Sequence, residues 1–398
     1  MTRPSRRLIQ VCATSLVLLA GTACGPFGGS DDKASGDPTF TVAAAGDILI
    51  HPKLTEQARK DAKATGKGDH GLDFGPMMAG IKPVISKADL GICHFEPVVG
   101  KPEGPFQGFP DFAVPPQITT AVKGVGYDQC STASNHSIDH GAEGVTRTLD
   151  ALDKAGLKHT GSARTEAESK KPLITTVKGV KVAQLSYALN FNGHEVPKGK
   201  PWIANLTDFD AIAAAEKQAR AAGAEVVILS VHWGKEYQPN AAAEQTELAR
   251  RIAKETDINL VIGHHAHVVQ PMEKIDGTWV AYGLGNQIAR HERPSGLTEE
   301  GVIGWFELTR RDGSWDVAAK YVPTFLEIPP DPDEAGKVPK DAVRDYRLLV
   351  VADAMRDGGK VSGERRSRYR VAFERTEGTL LNRGAGADGL KPLEKLPD

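Results

Sequence analysis

The chain has 398 residues, 40% hydrophobic and 25% charged, the proportions of an ordinary soluble globular protein. Its 49 Lys and Arg against 51 Asp and Glu leave a formal net charge of −2, which excludes a basic field for nucleic acid. Cysteine is scarce, with 4 in the whole chain.

Residues 1–24, "MTRPSRRLIQVCATSLVLLAGTAC", begin with Arg3, Arg6 and Arg7, continue as an apolar stretch from Leu8 to Ala20, and end on small residues before Cys24. That is the layout of a secretory signal, and its apolar run is too short to span a bilayer. The ending "GTAC" resembles a bacterial lipobox, departing from it at Gly21, where leucine is usual. The resemblance implies that Cys24 becomes the lipidated first residue of a mature protein held at the extracytoplasmic face of the cell membrane. Ser5-Arg6-Arg7 also resembles the start of a twin-arginine signal. Residues 25–38, polar and rich in Gly and Asp, read as a flexible linker.

Beyond the linker, short apolar runs alternate with helical patterns. Residues 39–45 ("TFTVAAA") are expected as a strand running into Gly46-Asp47, with further strands at 88–96 ("ADLGICHFE") and 127–133 ("YDQCSTA"). Val145, Leu149 and Leu152 fall on one helical face, with Gly156 as the stop. Strands at 180–188 and 224–231 flank an Ala-rich helix near 208–222. A helix from Ala242 to Thr256 leads into a strand at 258–263, followed by one at 278–285 and a β-rich stretch ending at 321–325. This order predicts an α/β sandwich with helices outside, over residues 39–328. Residues 329–398 are Pro-rich, then strongly charged, and are expected to pack on the domain or fray. Cys93 and Cys130 lie in two buried strands, where a disulfide is one reading and two buried thiols are the expectation.

Polar residues recur at the strand ends: Asp47, then His94 and Glu96, Asn135 and His136, His232, and finally His264, His265 and His267 of "GHHAH". Ligands of open α/β sheets gather beyond the carboxyl ends of strands, so groups scattered in sequence can converge there on a metal ion. Each residue also has a structural reading. Asp47 suits a turn or cap, Glu96 a solvated loop, and His232 a hydrogen-bonded core position. Repetition after five successive strands favours the metal reading.

The segments "AAGDILI", "ADLGICHFEPVVG", "FQGFPDFAVPP", "GYDQCSTASNHSIDHG", "LDALDKAGLKHTGSART", "VVILSVHWGKEYQP", "LVIGHHAHVVQPMEKIDG" and "AYGLGN" carry a family resemblance. In order and spacing the chain resembles the CapA or PgsA type of capsule synthesis protein, named for the poly-gamma-glutamate capsule. That family shares the calcineurin-like metallophosphoesterase fold, so the resemblance implies two β-sheets flanked by helices. It implies Asp47 as a metal ligand, Glu96 as a carboxylate bridging two ions, and Asn135, His232, His265 and His267 as further ligands. His264 falls at a position that varies in the family. One or two divalent ions are implied, and an all-N/O set suits Mn, Zn or Fe. His136 would be the general acid. Asp139, three residues on, could accept a hydrogen bond from His136 and hold its tautomer, or simply serve a helix start.

Three departures bear on the site. The wider phosphoesterases carry Asp-x-His where this chain has Asp47-Ile48-Leu49, and the family's Asn-Leu-Glu is here His94-Phe95-Glu96. Residues two apart in a strand share a face, so His94 either supplies a missing imidazole or hydrogen-bonds a loop. "GLGNQIARHE" also departs from the family's Gly-Asn-Phe ending.

The implied chemistry is metal-assisted hydrolysis or group transfer on a phosphoester or a γ-glutamyl amide, in the synthesis or attachment of an envelope polymer. Expected partners are an anionic envelope polymer or phosphoester substrate, the membrane through the lipid anchor, and the capsule synthesis machinery. The competing reading is a non-catalytic, metal-containing lipoprotein that binds, guides or anchors the polymer.

Overall fold

The computed structural model describes residues 37–291, 295–330, 342–356 and 361–396; the expected signal with Cys24, and the linker as far as residue 36, lie outside them. In chain order the strands are β1 (Thr39–Leu49), β2 (Leu90–Phe95), β3 (Gln129–Ser131), β4 (Lys158–Thr160), β5 (Leu173–Val177), β6 (Val180–Ala188), β7 (Val226–His232) and β8 (Leu260–His264). Then come β9 (Met272–Ile275), β10 (Thr278–Ala281), β11 (Asn286–Ala289), β12 (Glu300–Arg311), β13 (Ser314–Glu327), β14 (Arg347–Val350) and β15 (Lys391–Pro392). One sheet runs β14-β13-β12-β1-β2-β3-β4, with β11 on β1 and β15 on β13; the other runs β5-β6-β7-β8-β10-β9. Among the described residues no helix is long and apolar enough to cross a membrane.

Side-chain parity explains how the layers meet. Phe40, Val42 and Ala44 of β1 and Leu90 and Ile92 of β2 pack against Val226 and Ile228 of β7 and Leu260 and Ile262 of β8, between the sheets. The alternate residues face helices. Ala43, Ala45 and Cys93 meet the outer helices through Leu54, Val122 and Leu149, while Val227, Leu229 and Val261 meet Ile212, Ala219, Ala249 and Ile252. Strands covered on both faces must be apolar at every position, which is why these runs read as unbroken in sequence. The helix Gly141–Ala155 does stop at Gly156, whose φ of 76° is the left-handed conformation that glycine takes without strain.

Two expectations change. Residues 278–285 are not one strand: β10 ends at Ala281, and the chain turns through Gly285 at φ 69° before β11. Cys93 and Cys130 are not free thiols but a disulfide, because parallel pairing of β2 with β3 sets them side by side, Cα atoms 4.5 Å apart. Among the described residues beyond 330, β14 lengthens the first sheet and the helix Gly363–Leu381 packs beside β13 through Tyr369 and Ala372.

Candidate metal centre

The same parity builds the site. Leu90 and Ile92 on the inner face are followed by His94, Val226 and Ile228 by His232, and Leu260 and Ile262 by His264, so each strand places an imidazole where the inter-sheet core ends. Register puts His232 beside His264, and Asp47 beside His94 and Asn286. Asp47 would otherwise have the wrong parity relative to Val42 and Ala44. An irregularity in the β1–β2 ladder between Ala44 and Asp47 corrects it, as an extra residue in a strand switches the face of every residue after it. Gly46 makes this possible: any Cβ there would collide with the Gly285 carbonyl, which accepts the Asp47 N–H at 2.9 Å.

Asp47 organises the loop after β8. Its Oδ1 meets His264 Nδ1 at 3.0 Å, and its Oδ2 accepts the His265 backbone N–H at 3.0 Å and lies 3.3 Å from His267 Nδ1. His265 and His267 have φ of 91° and 55°, a left-handed backbone that bulky residues seldom adopt and that these contacts sustain. His267 Nδ1 also donates to Asn286 Oδ1 at 2.9 Å, which leaves Nε2 facing Glu96 Oε1 at 3.6 Å.

On the other side, hydrogen bonds run from Ser131 Oγ to His94 Nδ1 (2.8 Å), from His94 Nε2 to His232 Nδ1 (2.9 Å), and from His232 Nε2 to Asn135 Oδ1 (2.9 Å). An amide oxygen only accepts, so His232 Nε2 carries a proton here, and His94 Nε2 donates to a neutral His232. His94 therefore bonds residues of neighbouring strands rather than a loop, and orients His232. The His232 Nε2 atom is also 3.9 Å from Glu96 Oε1.

Glu96 is wholly buried, and neither of its carboxylate oxygens has a hydrogen-bond partner among the described residues. His264 Nε2 and His265 Nδ1 are buried and unpartnered among the described residues as well. Native structures rarely leave such groups unsatisfied. Burial, with the charges of Asp47, Glu236 and Asp139, pushes the Glu96 carboxyl well above its usual range against the pull of His267. Burial acts on Asp47 in the same sense, but hydrogen bonds from His264 and His267 outweigh it and hold that carboxyl well below the usual range. Burial and neighbouring imidazoles lower His94 and His232 well below the usual histidine value and take His265 to about 4. His267 is the exception: burial opposes its charge, yet Glu96 and Asp47 raise it to about 10. Positive charge is thus favoured at one place, between two carboxylates, and the donors there suit a divalent cation. Asp47, Glu96 and His267 offer ligand atoms within 4.8 Å of one another, as do Asp47, His94 and His264, and Glu236, His265 and His267.

His136 stands beside this cluster. Its Nδ1 bonds Asp139 Oδ2 at 2.7 Å, leaving Nε2 for a cavity of about 330 Å³ that His136 lines together with His51, His267, His291, Asn192 and Tyr237. Phe112 packs edge-on against the His136 ring, 4.7 Å between centroids. All six expected ligands and the His136–Asp139 pair therefore come together. Sequence reasoning set His264 aside and passed over Asn286, His51 and His291. Strand parity from Leu260 and Ile262 could have found His264, whereas His51 and His291 arrive from loops with no periodic signal.

Residues 41–291 match the family described as bacterial capsule synthesis protein PGA_cap. The chain is similar to the PGA biosynthesis protein CapA of Bacillus subtilis (strain 168), 25% identical over 264 residues that make up 64% of each chain. It is also similar to the capsule biosynthesis protein CapA of Bacillus anthracis, 25% identical over 255 residues, 62% of this chain and 59% of that one. The chain thus spans less than two thirds of the length of either relative. Among solved structures it is similar to the calcineurin-like phosphoesterase YfkN from Bacillus subtilis, with TM-score 0.40 and 16% identity over 87% of this chain and 99% of that chain. A 5'-nucleotidase precursor from Thermus thermophilus gives TM-score 0.41 and 14% identity over 85% of this chain and 58% of that chain.

Proposed function

Since the chain belongs to the bacterial capsule synthesis protein family, we propose that it is a metal-dependent hydrolase or transferase acting on a phosphoester or γ-glutamyl amide while a poly-gamma-glutamate-like envelope polymer is built or attached. The observation that carries this reading is Glu96, a fully buried carboxylate without a hydrogen-bond partner among His94, His232, His264, His265 and His267. Asp47, Glu96 and His267 would hold one cation; His232 and Asn135, which meet beside Glu96, would hold a second, with His265 Nδ1 also available. A divalent ion there supplies Lewis acidity and a water of lowered pKa. His94 orients His232; for His232 Nε2 to ligate an ion the bond between the two rings would reverse, His232 Nδ1 donating to His94 Nε2. Asp139 holds the proton on His136 Nδ1, so His136 Nε2 is the atom that would deliver a proton to a leaving group in the cavity. The leader ending at Cys24 supports a place at the extracytoplasmic face of the membrane, anchored by lipid.

The test is metal analysis of the purified protein with a panel of phosphoester and γ-glutamyl substrates, run on the parent and on His136→Ala. Turnover should fall by about 10²–10⁴-fold in the variant, the usual worth of a general acid, with metal content unchanged. Bound metal with no turnover on any substrate, and polymer attachment intact in cells carrying His136→Ala, would leave only the polymer-holding reading.

A further inference from the structure

Asp139 uses only half of its carboxylate to hold His136. Its Oδ2 accepts from His136 Nδ1 and from the Phe112 backbone N–H, each at 2.7 Å. Its Oδ1 has no hydrogen-bond partner among the described residues, although the side chain is 0% exposed. A buried carboxylate oxygen without a donor is unfavourable, so something outside the His136 pair must face it. What faces it is not the buried histidine cluster. His194 Nε2, from the loop after β6, lies 3.9 Å from Oδ1 and 2.8 Å from Asp111 Oδ1. One ligand atom from each of Asp111, Asp139 and His194 lies within 4.8 Å of the other two.

We propose that Asp111, Asp139 and His194 form an outer divalent-cation site at the mouth of the cleft, distinct from the buried centre and suited to an ion that takes nitrogen and oxygen ligands, such as Mn²⁺ or Zn²⁺. A proton on His194 serves Asp111 alone, since 3.9 Å to Asp139 is beyond hydrogen-bond reach. A cation with bonds of about 2.0–2.2 Å can satisfy both carboxylates and the imidazole together. Three separate segments then become tied across the cleft. Its described lining holds the carboxylates of Asp111 and Glu236 and several imidazoles but no lysine or arginine. An anionic polymer would therefore find positive charge there on His267 and on bound cations; this consequence rests on the function proposed above, whereas the site does not.

The experiment is calorimetric titration of the purified chain with Mn²⁺, with metal counting after gel filtration, on the parent, an Asp111→Asn/His194→Gln double variant, and Glu96→Gln. The double variant should lose one class of Mn²⁺ sites, or weaken it beyond the roughly 10–100-fold that outer partners cost, and keep any other class. Glu96→Gln should keep the class that the double variant loses. Identical isotherms for the parent and the double variant overturn the outer site. A parent whose only Mn²⁺ class disappears in the double variant and survives in Glu96→Gln supports the outer site while removing the buried metal centre. Asp111 and His194 have 38% and 34% of their side chains exposed, so the fold should tolerate their change. Should thermal unfolding show otherwise, His194→Gln alone decides by the same readout.

Discussion

Glu96 and Glu300 are both buried glutamates, 0% and 2% exposed, and they differ in what their carboxylates meet. Glu300 accepts from Arg368 Nη1 and Arg375 Nε, each at 2.9 Å, and the same two arginines donate to the Gly296 carbonyl. This ties the helix Gly363–Leu381 to β12. Glu327 does the same for β13 through Arg365 and Tyr369. Glu96 faces imidazoles at 3.6 and 3.9 Å, beyond hydrogen-bond reach, and meets no donor among the described residues. Burial alone does not separate a fastener from a ligand; satisfaction does, because a structural carboxylate finds its donors within the chain.

The largest expected effect tests the fastener. Glu300→Ala leaves two arginines unpaired, and breaking a buried pair costs about 3–5 kcal/mol. Arg368 and Arg375 keep 31% and 36% of their side chains exposed, so solvent should reduce the loss to about 2–3 kcal/mol. Chemical denaturation should show that loss while bound metal stays constant. Metal lost from a folded Glu300→Ala protein would erase the distinction between the two regions.

A smaller effect tests the support around Glu96. His94→Ala removes the group that orients His232, and such outer partners are worth about 10–100-fold in metal affinity, or about 1.4–2.7 kcal/mol. Competition against a chelator reads it directly. Unchanged affinity would mean that Asn135 alone holds His232 in place.

The distinction also shows what the sequence could disclose. The alternation of strands and helices and the polar residues at strand ends were legible, because doubly covered strands are apolar throughout and a His or Glu at their ends stands out, whereas the two sheets and the set of six ligands came from the family resemblance. His264 could be read from parity with Leu260 and Ile262, but its pairing with Asp47 could not, since that depends on the shifted register that brings Asp47 to the same face. Asn286 was hidden because residues 278–285 read as one strand rather than a strand and a turn. The Cys93–Cys130 bond depends on which strands are neighbours, and the Glu300 clamp joins residues 75 apart in sequence. Neither leaves a local pattern.

The smallest effect is the sharpest, because it concerns a sign. Glu96→Gln keeps shape and removes a charge that the protein buries without a donor. The Glu96 carboxyl lies well above its ordinary value of 4.5, so the folded chain binds an extra proton once pH exceeds that value. Such a group detracts from stability as pH rises from the unfolded toward the folded pKa. In chain stripped of cations with chelator, Glu96→Gln should therefore match the parent near pH 4 and exceed it at neutral pH by about 1 kcal/mol, the low end of what an unmet buried polar group costs. With excess Mn²⁺ the order should reverse, because a ligand that binds only the folded state stabilises the parent by mass action. Glu300→Gln should lose stability in both conditions. If Glu96→Gln also loses in both, Glu96 is a fastener whose donors lie within the chain, and the metal centre has no carboxylate at its middle.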